Sequence, residues 1–425
     1  MLSTEATPSQ ARAIKGWQRY ALCIAVLGQL FLAGDWYGFA AVITFVSKDL
    51  SLSPTEAGFI QGAFAITYCA GMLFWSPFAR HWSSRKLFAI GLLGTGVFML
   101  AQAMAGNFTE MVAARLLIGF FDAAVWVGTM KLIVGWFPAS RHGATMGILL
   151  AAFSLAITMD FAVGIPVAQV LGWRVFLAAL GVLTLAIGLL GALTIKGSPK
   201  ELGLKDFHWD GDEGEEHHFA SNIPLSRIFQ SRWIYVAWLA IFGDTFALAA
   251  TATWVVPAFI QQQGMPVGNA ALVGTLMGLS QVAFLLIGGW LSDRMSRLTM
   301  IKLGSVLCVA SSLSFVAAAH YAMPWALLLL ITGVSGVTVL SGGAIFSLVS
   351  ERYGRALAAT AIGYAELGGI VSTFVAPTLM GWVVDRTQSF TAAFMSFFIV
   401  EALLLAALLM IANERKSALM ASVAR

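Results

Sequence analysis

Five carboxylates stand inside apolar stretches of this chain, where an ionisable group is costly: Asp35, Asp122, Asp160, Asp244 and Glu366. A charge at the centre of a membrane helix costs about 2.5–3.5 kcal/mol on insertion scales. Five exposed to lipid and ionised would together cost on the order of 10 kcal/mol. Some must therefore face a polar cavity, pair with a base, or carry a proton. A carboxyl in an apolar cavity can titrate near neutrality, so it can bind a proton on one side and release it on the other. Arg115, Gly119, Asp122 and Trp126 follow one another at spacings of four, three and four. On an α-helix those intervals form one stripe. A cation, a carboxylate and an indole then share a face, with Arg115 placed to pair Asp122 or a substrate carboxylate. The competing expectation is an ion pair that only locks neighbouring helices.

The remaining polar positions are less specific. Asp35 lies between Gly34 and Gly38, which suits either proton exchange or a helix-packing hydrogen bond. Glu366 shares a face with Gly369, Thr373 and Pro377, and Asp244 shares one with Thr251. Both could line a substrate cavity or be hydrogen-bonded between helices. Gln61 and Tyr68 fall on one stripe, as expected for cavity lining and nearly as well for core packing. Lys131 is placed to snorkel to an interface.

These residues need elements that hold them at depth, and the composition supplies them. Of 425 residues 59% are hydrophobic and 11% charged, against about a quarter charged in a soluble domain. With a mean hydropathy of +0.83, the chain must have lipid as its solvent. A span takes roughly 20 apolar residues. Spans are expected near 18–46, 55–78, 86–105, 109–136, 143–170, 174–195, 232–262, 268–291, 299–320, 324–349, 356–384 and 391–412. This predicts an all-α polytopic membrane protein with twelve transmembrane helices. Short loops on one side hold Arg12, Lys15, Arg19, Arg80, Arg85, Lys86, Arg141, Arg294, Arg297, Arg352, Arg355, Arg415 and Lys416. The other side holds little beyond Lys48 and Arg386. The positive-inside rule then puts both termini in the cytoplasm, and a bacterial inner membrane is the expected location. Basic residues are spread too thinly for nucleic acid. Cys23, Cys69 and Cys308 lie in apolar runs and imply no disulfide framework. No cleavable signal peptide is expected.

Two homologous halves are expected, 1–196 and 230–425, each a six-helix bundle, joined by a cytoplasmic linker, 197–229. The linker carries Asp210, Asp212, Glu213, Glu215, Glu216, His217 and His218. Such an acidic run reads as solvated rather than metal-binding. The halves echo each other: Arg141-His-Gly-Ala-Thr-Met-Gly147 is answered by Arg355-Ala-Leu-Ala-Ala-Thr-Ala-Ile-Gly363. Duplicated halves imply a site near the midplane and access switched by rocking. No P-loop, HExxH, CxxC or G-x-S-x-G motif occurs. An enzyme, a cofactor and direct ATP drive are not expected.

Gly289-Trp-Leu-Ser-Asp293-Arg294-Met-Ser-Arg297 resembles the G-x-L-x-D-R-x-x-R signature of the major facilitator superfamily. Arg115-Leu-Leu-Ile-Gly119 resembles its R-x-x-x-G motif, and Gly172-Trp173-Arg174-Val-Phe176 its GWRxxF turn. Lys48-Asp49-Leu50-Ser-Leu-Ser53, Ser83-Ser84-Arg85-Lys86, Arg115 through Asp122 and Trp254-Val-Val-Pro257 are similar to the anion:cation symporter branch. The resemblance implies proton coupling at Asp35 and Asp122. It also implies a conformational latch at Asp293, Arg294 and Arg297, and leaves a gate role open to Lys131. Three positions depart from the pattern. Trp36 stands where the branch has an arginine, Arg80 replaces the N-half signature aspartate, and Glu366 stands where an amide is commoner.

The leading expectation is a monomeric secondary transporter that carries a small organic anion, such as a sugar acid, in symport with protons. Asp35 and Asp122 carry the proton. Substrate contacts are expected from Arg115, Trp126, Gln61, Tyr68, Glu366 and Asp244. The carboxylate excess and the missing arginine favour an alternative substrate, an amino acid, amine or cationic drug. A membrane sensor or a membrane enzyme would need a signalling domain or a catalytic constellation.

Overall fold

The computed structural model describes residues 8–203, 226–292 and 294–423. Most of the expected linker, with its acidic and histidine residues, lies outside the described residues, as does Asp293. Among the described residues twelve helices are long and apolar enough to cross a membrane. Spans 1 to 6 are Arg12–Asp49, Pro54–Ala79, Ser84–Met104, Phe108–Trp136, Thr145–Val170 and Trp173–Thr194. Spans 7 to 12 are Arg232–Gln262, Val267–Ser292, Arg297–His320, Trp325–Tyr353, Thr360–Thr387 and Phe390–Asn413.

Local chemistry sets the ends of these helices. Ser53 and Glu56 form a capping box at span 2: the Glu56 N–H donates to Ser53 Oγ at 3.2 Å and the Ser53 N–H to Glu56 Oε2 at 2.8 Å. At span 4 the Glu110 N–H donates to Asn107 Oδ1 at 3.0 Å, and the Gly106 N–H donates to Glu110 Oε2 at 2.7 Å. Ser83 and Ser296 cap the helices of spans 3 and 9. Gly172, at φ 92°, makes the turn into span 6 that an L side chain would strain. The Arg174 guanidinium lies 4.2 Å from the Trp173 ring at that turn.

The chain divides into two compact units, Met1–Phe45 with Ala63–His218, and Val46–Gly62 with Phe219–Arg425. Span 2 therefore contributes to both. In the first unit glycines bring backbones together, the usual means of packing helices in lipid. A Cβ on Gly119 would lie 2.0 Å from the Phe64 carbonyl oxygen, so the R-x-x-x-G glycine is where span 4 touches span 2. In the second unit the Trp254 indole donates to the Pro377 carbonyl at 3.1 Å. Thr55 donates to Asp385 at 2.7 Å.

Span 10 is not one continuous α-helix. It runs as Trp325–Val334, tightens to a 3-10 segment over Ser335–Val339, and resumes at Gly342. From there the helix continues unbroken through Thr387, joining spans 10 and 11 without a loop. Apolar periodicity carries no signal for either feature.

Candidate functional site

Span 1 places Asp35 and Trp36 against span 4, and the two helices form a buried charged group. Arg115 is wholly buried; its Nη1 donates to the Asp35 carbonyl at 2.8 Å and to Asp35 Oδ1 at 3.3 Å. Its Nη2 donates to the Trp36 carbonyl at 3.1 Å. The rings of Phe39 and Phe64 stand 5.5 and 4.9 Å from the guanidinium carbon, within cation–π range. The arginine thus holds both a carboxylate and the backbone beside it, a task suited to its planar fork.

Asp122, also wholly buried, accepts from two donors. Thr95 Oγ1 donates to Oδ1 at 2.6 Å and the Trp36 indole N–H donates to Oδ2 at 3.0 Å. The residue standing where the branch has an arginine therefore supplies a neutral donor to the adjacent carboxyl. Trp36 is held in turn by Phe64, Tyr68 and Phe153, with ring centroids 4.6, 5.0 and 5.6 Å away.

Arg115 and Asp122 share a helical stripe, as the spacing requires, and the arginine also reaches across to form an ion pair with Asp35 of span 1 at 3.3 Å. Asp160 of span 5 joins the same region. It is 3% exposed, and its Oδ1 lies 3.5 Å from where a Cβ on Gly34 would stand. It feels the charge of Asp35. Its Oδ2, like Oδ2 of Asp35, is buried without a hydrogen-bond partner. One guanidinium thus faces three buried carboxyl groups. Full ionisation would leave an uncompensated excess of two negative charges in a low-dielectric core, which is strongly unfavourable.

The other expected site residues are distributed as follows. Tyr68 joins the group through Trp36, and Trp126 is half-buried one turn beyond Asp122. Gln61 is buried in the second compact unit's share of span 2. Lys131 Nζ donates to the carbonyls of Ala79 and Trp82 at 2.6 and 2.7 Å, tying span 4 to the connection after span 2. In the second unit Asp244 is buried beside Ser341 and Cys308. Glu366 is half-buried. Of the expected latch residues, Arg297 donates to Glu351 at 3.0 Å and to Ser292 Oγ at 2.7 Å. Arg294 stacks 3.7 Å over Trp290. Glu401 of span 12, 2% exposed, is a sixth deep carboxylate, outside the five expected from sequence. Its signal was present: it interrupts the run Phe397-Phe-Ile-Val-Glu401-Ala-Leu-Leu-Leu.

The Trp36 contact yields a test. Trp36→Phe keeps most of the ring packing and deletes the donor to Asp122. A hydrogen bond to a charged group is worth about 1.5–3 kcal/mol. The purified phenylalanine variant is therefore expected to be less stable by about that amount, read as a lower midpoint of thermal unfolding. An unchanged midpoint would show that the indole N–H contributes nothing to holding Asp122.

The family model described as Major Facilitator Superfamily matches residues 25–369. The chain is 24% identical over 379 residues to a protein of Cupriavidus necator named a probable sulfoacetate transporter, covering 85% of this chain and 86% of that one. It is 21% identical over 382 residues to the hexuronate transporter of Bacillus subtilis, covering 86% and 89%. Among solved structures, a bacterial homologue of the human lysosomal transporter Spinster superposes with a TM-score of 0.77 at 12% identity, covering 93% of this chain and 97% of that one.

Proposed function

The chain belongs to the Major Facilitator Superfamily, and from that premise we propose that it moves a small organic anion in symport with protons. Its membership makes it a multi-pass membrane transporter rather than an enzyme. Relatives named for sulfoacetate and hexuronate, both carboxylates, support an anionic substrate. The carrying observation is the imbalance among the described residues of the first unit, where three buried carboxyls stand with one buried guanidinium. Protons are the simplest balancing charge. Asp122 has the donors to stabilise its ionised form, and Asp35 has the guanidinium. Losing or gaining a proton at either changes the contacts between spans 1 and 4. That is how a proton would bias one conformation over the other.

In this reading Arg115 tunes the carboxyls, and opening of the site frees its fork for the substrate carboxylate. Transport proceeds by alternating access, in the cytoplasmic membrane of a bacterium, with both termini cytoplasmic. The second reading, a substrate with an ammonium group, draws on the same carboxylate excess and on Trp36 in place of an arginine. Purified protein in proteoliposomes would be tested with radiolabelled glucuronate under an inward proton gradient. Competitors would be tartrate, sulfoacetate, leucine and a quaternary ammonium dye. Competition confined to the anions is expected. Inhibition by leucine or the dye alone would overturn the anion assignment.

A further inference from the structure

Spans 7, 9, 10 and 12 converge on a second buried carboxyl pair that the first-unit mechanism does not use. Ser341 Oγ donates to Asp244 Oδ2 at 2.8 Å, and the Cys308 thiol, 3.7 Å from Oδ1, donates to the other oxygen. The thiol also lies 3.5 Å from the Thr338 carbonyl, in the 3-10 stretch that interrupts span 10. Glu401 enters from span 12. Its Oε2 lies 3.0 Å from where a Cβ on Gly243 would stand, so the absent side chain next to Asp244 makes room for it. Its Oε1 is buried with no hydrogen-bond partner. The two carboxyls interact electrostatically, and among the described residues neither forms an ion pair. Span 11 also packs on span 7; there Ser372 bonds Thr245, and span 11 carries the half-buried Glu366.

Two ionised carboxylates cannot share a dry site without a cation between them. The donors decide how the charge divides. Asp244 accepts from a hydroxyl and a thiol, as an ionised carboxylate should. Glu401 has an oxygen with no donor, as a neutral carboxyl can. We propose that Asp244 and Glu401 form a second proton-binding site, in the C-terminal half, with the proton held on Glu401 beside ionised Asp244. Loading forms one O–H bond on Glu401 from a solvent proton, and release returns that proton to water. Ser341 stands where the 3-10 segment gives way to helix, with Gly304 packed against it. A shift of span 10 therefore withdraws a donor from Asp244 and changes where the proton rests. This adds a second proton-carrying site to the symport reading, but its test needs no substrate, so the two can fail separately.

The test is infrared difference titration of the purified full-length chain in lipid nanodiscs, with the proton as the only ligand. The C=O stretch of neutral carboxyl groups is followed in potassium and in sodium buffers. Glu401→Gln, an isostere of the neutral acid, is expected to fold and to delete one band. Asp35→Asn and Asp122→Asn should leave that band in place. Cys308→Ala and Ser341→Ala keep both carboxyls and should each move the band's titration midpoint. If Glu401→Gln does not fold, these two variants carry the test. A spectrum unchanged by Glu401→Gln, or a midpoint unmoved in both donor variants, would overturn the proposal. Loss of the band on replacing potassium by sodium would overturn it in favour of a metal-ion site.

Discussion

Asp122→Asn is expected to abolish uphill accumulation while leaving substrate exchange within a few-fold of the parent protein. The amide occupies the same volume and still meets Thr95 and Trp36, so packing is preserved. It cannot bind and release a proton. One pH unit across the membrane is worth about 1.4 kcal/mol per proton, or about tenfold accumulation. A variant that moves no proton should show none of that gain. Exchange of internal for external substrate does not require the proton to leave, so counterflow is the control. Counterflow and accumulation falling together would mean that Asp122 serves the fold or substrate binding. Normal accumulation would mean that it does not couple.

The largest effect on stability is expected at Arg115. Arg115→Leu removes the guanidinium from a core that also holds Asp35, Asp122 and Asp160. Breaking a buried pair by deleting one partner costs about 3–5 kcal/mol, because the other charge is left uncompensated. The leucine variant should be recovered poorly and unfold at a much lower temperature. Adding Asp35→Asn removes the stranded charge and should restore part of the loss. Arg115→Lys should fold, because the charge survives, but one ammonium cannot hold the Asp35 carboxylate and the Asp35 and Trp36 carbonyls together. Its transport should fall sharply. The comparison is thermal unfolding of the three purified variants. A leucine variant as stable as the parent, or a double variant no better than the single, would contradict the pairing.

The twelve spans were legible because lipid imposes a simple demand, some twenty apolar residues per crossing, and the chain meets it twelve times. The helix ends were legible where a cap is local, as at Ser53 and Glu56. The charged residues were legible as exceptions to an apolar rule. Their partners were not, because pairing depends on which helices meet. Arg115 reaches across to Asp35, and nothing on span 4 announces that. Trp36 reads as a missing arginine in sequence, yet its indole N–H gives Asp122 a donor. Asp160 and Glu401 show how much depends on depth. Each is a single carboxylate in an apolar run, and only the tertiary packing sets one against Gly34, next to Asp35, and the other against Gly243, next to Asp244. The break in span 10 was invisible, since Ser335-Gly-Val-Thr-Val339 is compatible with a continuous helix until its neighbours' backbones are in place. Gly336 would set a Cβ 2.2 Å from the Ser280 carbonyl carbon, and that close approach belongs to the fold.

The claim that an anion and protons move together is tested most directly by following protons themselves. Lightly buffered proteoliposomes carrying the purified chain would receive glucuronate, tartrate or sulfoacetate, with a pH electrode in the outer medium. The account predicts that at least one carboxylate makes the outer medium alkaline as protons enter with it. The same addition to Asp122→Asn proteoliposomes should give no pH change. Carboxylate uptake without any proton movement in the parent protein, or an equal pH change in the Asp122→Asn variant, would contradict it.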